Sequence, residues 1–166
     1  MVIGFWKRND KYGFCSNWYP AEIKLEDKTF TCCEQYMMYK KAELFKNADI
    51  AEQIVLTKDP AKIKALGRKV KNFDASIWNA NKENIVGTAV MAKFIQHPDL
   101  FKKLDASGDN ILAESSPSDT IWGIGLANTD PDMQNPKMWK GTNLLGQIVM
   151  QVRTLIRQGE TEYKML

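Results

Sequence analysis

The stretch from Phe30 to Lys41, FTCCEQYMMYKK, gathers a carboxylate (Glu34), two amines (Lys40, Lys41) and two phenols (Tyr36, Tyr39). Read as a helix, it sets Glu34, Met38 and Lys41 at i, i+4 and i+7, on one face. Two turns separate Glu34 from Lys41, about 10 Å along the axis. That is too far for a direct local pair, and it suits a carboxylate and an amine that flank a ligand. The same residues also admit a structural reading. Thr31-Cys32-Cys33-Glu34 matches a capping box, in which Thr31 caps the helix and Glu34 reaches back to the Thr31 N–H. Solvated charges on an exposed face are the plain alternative.

Other chemistries are poorly supplied. His97 is the only histidine. It stands in Gln-His-Pro-Asp, a turn with Pro98 at the first position of the next helix, which argues against a Ser-His-Asp triad. The cysteines are Cys15, Cys32 and Cys33. They have no CxxC spacing and no second ligand cluster, so no zinc site is expected. Their odd count fits a reducing compartment rather than a disulfide framework. Gly123-Ile-Gly125 is not a dinucleotide fingerprint, because Asn128 stands where the third glycine is required. A net charge of +3 is too mild to argue for nucleic-acid binding by itself. No apolar run approaches the ~18 residues of a membrane span, and the first residues lack a signal-peptide pattern. A cytoplasmic protein is expected. With 166 residues, 44% hydrophobic and 26% charged, one domain over 1–166 with a real core is expected.

The elements that must position these residues are mostly helical. Residues 1–30 are aromatic-rich and broken by turns. Ile23 and Leu25 alternate with charged residues, and a turn at Asp27-Lys28 would make a small hairpin. Phe14-Cys-Ser-Asn17-Trp18 reads as a loop, with Asn17 as a turn former or a site residue. Helices are predicted over about 32–47 and 48–57. Another starts at Asp59-Pro60, with Ile63, Leu66 and Val70 as its buried stripe. Gly67 interrupts it and suits close packing; Arg68 is a solvated charge or an anion contact. Asp74 is predicted to cap a long helix over 75–96, near whose start Trp78 faces either core or pocket. A short helix over 99–104, a strand at 111–113 and a final helix over 142–158 complete the pattern. The polar stretch 127–141, with Trp139 in it, reads as a functional or mobile loop. The tail 159–166 is expected to fray.

Several of these pieces, in order, resemble the NADAR (YbiA-like) family. They are Phe14-Cys-Ser-Asn17-Trp18, then Glu34-Gln-Tyr36 with Lys41 seven residues after the glutamate, and Ala65-Leu-Gly-Arg68. Trp78, Met91-Ala-Lys-Phe-Ile-Gln-His-Pro98, Asp119-Thr-Ile-Trp122-Gly123-Ile-Gly125 and Gly141-Thr-Asn143-Leu-Leu-Gly146 follow. The resemblance spans about residues 5–157. It implies a compact, mainly α fold with small β elements (α+β), and N-glycosidase activity on ribosyl–base bonds without cofactor or metal. Two substrate classes follow from it: ADP-ribosylated guanine in DNA, RNA or nucleotides, and phosphoribosyl-amino-pyrimidine intermediates of riboflavin biosynthesis. The short chain, with no fused riboflavin-pathway domain, favours the first.

By the same resemblance Glu34 is the leading catalytic residue, with Lys41 and Asp119 beside it. Asn17, Trp18, Tyr36, Arg68, Trp78, Trp122, Gly123 and Asn143 fall at substrate-binding positions. Cleaving a base–ribose bond develops oxocarbenium character, which a carboxylate stabilises while activating water. Lys41 could bind phosphate or sugar as a cation, or attack the anomeric carbon as an amine of lowered pKa. A nearby carboxylate opposes that lowering, which favours the cationic role. Trp78 or Trp122 could stack on a base. Some family members carry an acid directly after Trp-Gly, where this chain has Ile124. Asp119 or another group must then replace it, or the protein is a non-catalytic ADP-ribose-binding module.

Overall fold

The computed structural model describes residues 1–165. The described residues form six α-helices, one of them largely buried, and two small strand pairs edge the bundle. β1 (Val2–Phe5) pairs in parallel with β4 (Ile111–Glu114), Val2 opposite Ile111 and Phe5 opposite Glu114. β2 (Ile23–Leu25) and β3 (Lys28–Phe30) form an antiparallel hairpin. Its turn is Glu26-Asp27, one residue earlier than the sequence suggests. Both residues have positive φ, 52° and 59°, the geometry that suits a two-residue hairpin turn to the strand twist.

α1 (Cys33–Leu44) is the central helix. Seven consecutive residues, Cys33 to Tyr39, are buried, as expected of a helix packed on all sides. α2 (Ala48–Leu56), α3 (Pro60–Gly67) and α4 (Ala75–Gln96) all pack against it. Gly67 lets α3 lie on α1: a Cβ there would stand 2.1 Å from the Met38 sulfur.

The predicted capping box does not form with Glu34. Helix α1 starts after Cys32, which makes no side-chain cap. It is Gln35 whose Oε1 accepts from the Thr31 N–H (2.6 Å) and hydroxyl (3.1 Å). Its Nε2 donates to the Ile54 and Thr57 carbonyls at 3.0 and 2.8 Å. A fully used buried amide therefore ties the start of α1 to the end of α2, and the carboxylate beside it is left free.

Elsewhere the caps stand where the sequence placed them. The Asp59 carboxylate accepts from the Ala61 N–H at 3.0 Å, with Pro60 at the first position of α3. That of Asp74 accepts from the Ile77 N–H at 3.1 Å. α5 (Pro98–Asp105) follows α4 directly. His97 donates or accepts through Nε2 at the Glu22 carbonyl, 2.6 Å away, a structural tie to the hairpin. α6 (Leu144–Arg157) buries Leu145, Ile148, Val149, Val152 and Leu155 against α4.

Two expectations about loops are corrected. Residues 127–141 fold into two short 3₁₀ turns, Pro131–Gln134 and Pro136–Met138. Gln134 pairs with the backbone of Val2, and the Trp139 indole N–H donates to the Met133 carbonyl at 2.8 Å. Trp139 thereby covers a small second core of Val2, Ala113, Ile124, Leu126 and Met133. The tail is docked as well. Tyr163 sits against Gly87, and its hydroxyl lies 3.2 Å from both Glu83 and Gln151. Among the described residues no helix is long and apolar enough to cross a membrane.

Candidate active site

The start of α1 opens into a cleft of about 1100 Å³. Its walls are α3, the first turns of α4, and the loops around residues 6–9, 16–18 and 116–122. Glu34 lies in the first turn of α1 and its backbone N–H donates to the Asn17 carbonyl at 3.0 Å. Asn17 is itself anchored from below. Lys93, wholly buried on α4, donates to the Phe14 and Ser16 carbonyls at 2.8 and 3.2 Å, which fixes the short 3₁₀ turn Gly13–Cys15 and the loop after it. The Asn17 side-chain oxygen is buried and finds no partner among the described residues. A buried amide oxygen left open on a cleft wall is a ready acceptor for a substrate hydroxyl.

Burial pushes the Glu34 carboxyl up to about 7. The positive charges of Lys64 and Lys41 oppose the rise, and Asp119 adds to it. Desolvation wins over both lysines and over the helix N-terminus, which would favour the anion. Lys41, two turns on, is half-buried and held below the ordinary lysine range by burial. Glu34 opposes this shift and Arg68 adds to it. The opposition from Glu34 is the one the sequence argument expected, and it reduces the effect of burial without cancelling it. The Lys41 ammonium lies 5.0 Å from the Phe73 ring centre and 5.9 Å from that of Trp78.

Asp119 and Trp122 stand on the wall formed by residues 116–122. Asp119 Oδ1 accepts from the N–H groups of Ile121 and Trp122, both at 2.9 Å. This carboxylate therefore shapes the turn that presents Trp122. Trp18, Arg68, Trp78 and Trp122 all reach the cleft. Arg68 is exposed there and the three indoles are half-buried.

Three expected contacts are placed elsewhere. Tyr36 points away from the cleft, its ring edge-on to Phe30 at 5.1 Å. Gly123 lies behind the wall, where a Cβ would meet the Glu114 and Asp119 carbonyls at 2.8 and 2.9 Å. Asn143 is buried beneath it with φ 54°. Its Nδ2 donates to the Leu112 carbonyl (2.9 Å), and its Oδ1 accepts from the Glu114 N–H (3.0 Å). Gly123 and Asn143 hold the wall and do not line it.

Several charged cleft residues have no role in the sequence reading, Lys7, Arg8, Lys64 and Glu114. Glu114 ends β4, and one of its carboxylate oxygens is buried without a partner among the described residues. Burial, then the charges of Asp119 and Glu34, push its carboxyl up to about 8 against the pull of Lys64. The sequence signal was faint: an acid at the end of a predicted strand, just before a Ser-Ser-Pro-Ser-Asp loop. Ile124, next after Trp122-Gly123, is buried in the second core, and its N–H donates to the Glu114 carbonyl at 2.9 Å. Among the described residues no group of three or more His, Cys, Asp or Glu side chains is placed to hold a metal ion.

The NADAR domain family model matches residues 4–157, which takes in every wall of this cleft. The chain belongs to the NADAR domain family. A NADAR relative named N-glycosidase R617, from Acanthamoeba polyphaga mimivirus, is 40% identical over 143 residues, covering 83% of this chain and 84% of the relative. The NMR structure of Escherichia coli YbiA superposes with a TM-score of 0.79 at 28% identity, over 99% of this chain and 90% of YbiA. The fold is therefore the mainly α, YbiA-like one. Riboflavin biosynthesis protein PYRR of Zea mays is 29% identical over 93% of this chain, which spans 25% of that longer protein.

Proposed function

We propose that this NADAR protein is an N-glycosidase that removes ADP-ribose from ADP-ribosylated guanine in nucleic acid or nucleotides. The hydrolase reading draws on relatives named N-glycosidases and on one observation above others: Glu34 is buried on the cleft wall, uncapped, with its carboxyl near 7. A carboxylate in that state stabilises oxocarbenium character at the anomeric carbon and takes a proton from the attacking water. Trp78 and Trp122 offer faces for the base, and Asn17 an acceptor for ribose hydroxyls.

The choice of substrate draws on the size and charge of the cleft. Lys7, Arg8, Lys41, Lys64 and Arg68 all reach it, which suits a diphosphate. Its volume, about 1100 Å³, slightly exceeds the roughly 300–1,000 Å³ of ordinary small-molecule pockets. A phosphoribosyl-amino-pyrimidine is the second reading, favoured by the relative named for riboflavin biosynthesis. Product analysis on ADP-ribosyl-guanine DNA and on the amino-uracil ribosyl phosphate separates the two. Free ADP-ribose from the first, with no base released from the second, is the expected result. The reverse pattern overturns the assignment. Tight ADP-ribose binding with no cleavage of either would mark a binding module.

Lys41 acts here as a cation that positions phosphate or sugar. Lys41→Arg is expected to keep kcat/KM within about tenfold, while Lys41→Met loses about a hundredfold, mostly through KM. An arginine variant as inactive as the methionine one, together with trapping of the wild-type complex by borohydride, would make the amine the nucleophile.

A further inference from the structure

We propose that Glu114 is the general acid of the site and hands its proton to the departing base. The inference rests on the N-glycosidase reading and adds to it the residue that activates the leaving group. Glu114 is the last residue of β4, and its backbone is held at both ends. Its N–H donates to Asn143 Oδ1 at 3.0 Å, and its carbonyl accepts from Ile124 at 2.9 Å. The next residue, Ser115, donates to the Phe5 carbonyl at 2.8 Å across the parallel pair. The carboxyl is thus carried on rigid backbone into the cleft.

There, one of its oxygens, Oε2, is buried and meets no donor or acceptor among the described residues. A desolvated anion without a partner is costly, so the group is kept as the neutral acid. Its proton has no acceptor until a ligand supplies one. The neighbouring charges divide the labour. Lys64 and Lys41 both act on Glu34. Glu114 feels Lys64 and is opposed by the negative charges of both Asp119 and Glu34. Glu34 therefore ionises first and Glu114 retains its proton, the pattern of two carboxyl groups whose environments set opposite roles. Asp119 is the weaker candidate, because its Oδ1 already accepts two backbone N–H groups.

The step balances. The C1′–N bond breaks and its electron pair goes to the base nitrogen. The Glu114 proton moves to the base, which leaves neutral. Water bonds to C1′ and gives up a proton to Glu34. Glu34 later releases that proton and Glu114 takes one back from solvent. The sum is hydrolysis, with no other co-reactant.

The test compares Glu114→Gln with the unsubstituted protein on two conjugates. One is ADP-ribosyl-guanine, whose base needs a proton to leave. The other is a ribosyl pyridinium such as a nicotinamide dinucleotide, whose leaving group departs neutral without one. Loss of a general acid removes roughly 10²–10⁴-fold in rate. That loss is expected for the guanine conjugate, against less than tenfold for the pyridinium. The fall in kcat at alkaline pH should also vanish in the variant. Equal losses on both conjugates, or no loss on the guanine conjugate, overturn the proposal. If the unsubstituted protein ignores the pyridinium, the pH profile decides: an alkaline fall retained by Glu114→Gln overturns it. No base release by the unsubstituted protein from either conjugate removes the hydrolase reading itself, and this inference with it.

Discussion

Glu34→Gln is expected to lower kcat/KM by a thousandfold or more while leaving the far-UV circular dichroism unchanged. The variant removes the carboxylate that answers developing positive charge, a contribution of several kcal/mol to the transition state. It leaves the helix start intact, because the capping work belongs to Gln35. The variant should also be the more stable protein at alkaline pH. The folded Glu34 carboxyl titrates at about 7, above its ordinary 4.5, so between these values the folded state holds a proton that the unfolded state has released. Stability is then greatest below about 4.5 and falls as pH rises through about 7. The full shift corresponds to ~3 kcal/mol as an upper bound. Melting curves should show Glu34→Gln above the parent at pH 8, with the gap closing below pH 5. A gap that does not change with pH, or full activity of the variant on a conjugate the parent cleaves, would refute this role for Glu34.

Asn143→Ala is expected to lose about 3–8 kcal/mol in urea unfolding. Two costs add. Alanine at φ 54° pays about 1–2 kcal/mol of left-handed strain, which asparagine tolerates better. The Leu112 carbonyl and the Glu114 N–H then lose their buried partners, at roughly 1–3 kcal/mol for each group left unsatisfied. Asn143→Gly relieves the strain alone and should recover about 1 kcal/mol of the loss. In the glycine variant kcat should fall more than KM rises, since Glu114 moves and the stacking and cationic residues do not. A large rise in KM with unchanged kcat would return Asn143 to the substrate contacts that the family motif suggested.

The long-range layout of this site was partly legible in the sequence, and the reasons differ residue by residue. Asp59 and Asp74 announce their helices because capping is local chemistry. Glu34 and Lys41 share a face because helical spacing is fixed. Tyr36 follows Glu34 by two positions, about 200° around the helix, and so faces Phe30; motif membership alone did not reveal that. The capping reading failed by one residue. Glutamate and glutamine are both good partners in a capping box, and the choice was made by distant Ile54 and Thr57 carbonyls that only glutamine's NH₂ can serve. The stretch 127–141 looked like a loose loop because polar composition reports turns; it says nothing of Trp139 finding the Met133 carbonyl. Glu114 gave only a faint signal because it comes near Glu34 and Asp119 in space, through a parallel pairing that no local pattern encodes.

That pairing has a consequence for how the protein is made. Val2 and Ile111 are partners, and 108 residues of chain lie between them. At the usual 5–20 residues per second of synthesis, β1 waits roughly 5–20 s for its partner strand to be made. Over that interval four residues, Val-Ile-Gly-Phe, present an open apolar strand edge of the kind that recruits other chains. The central helix and its neighbours α2 and α3 can be complete by then, but the wall that carries Glu114 cannot exist. A nascent chain thus acquires its helical body first and its chemistry last.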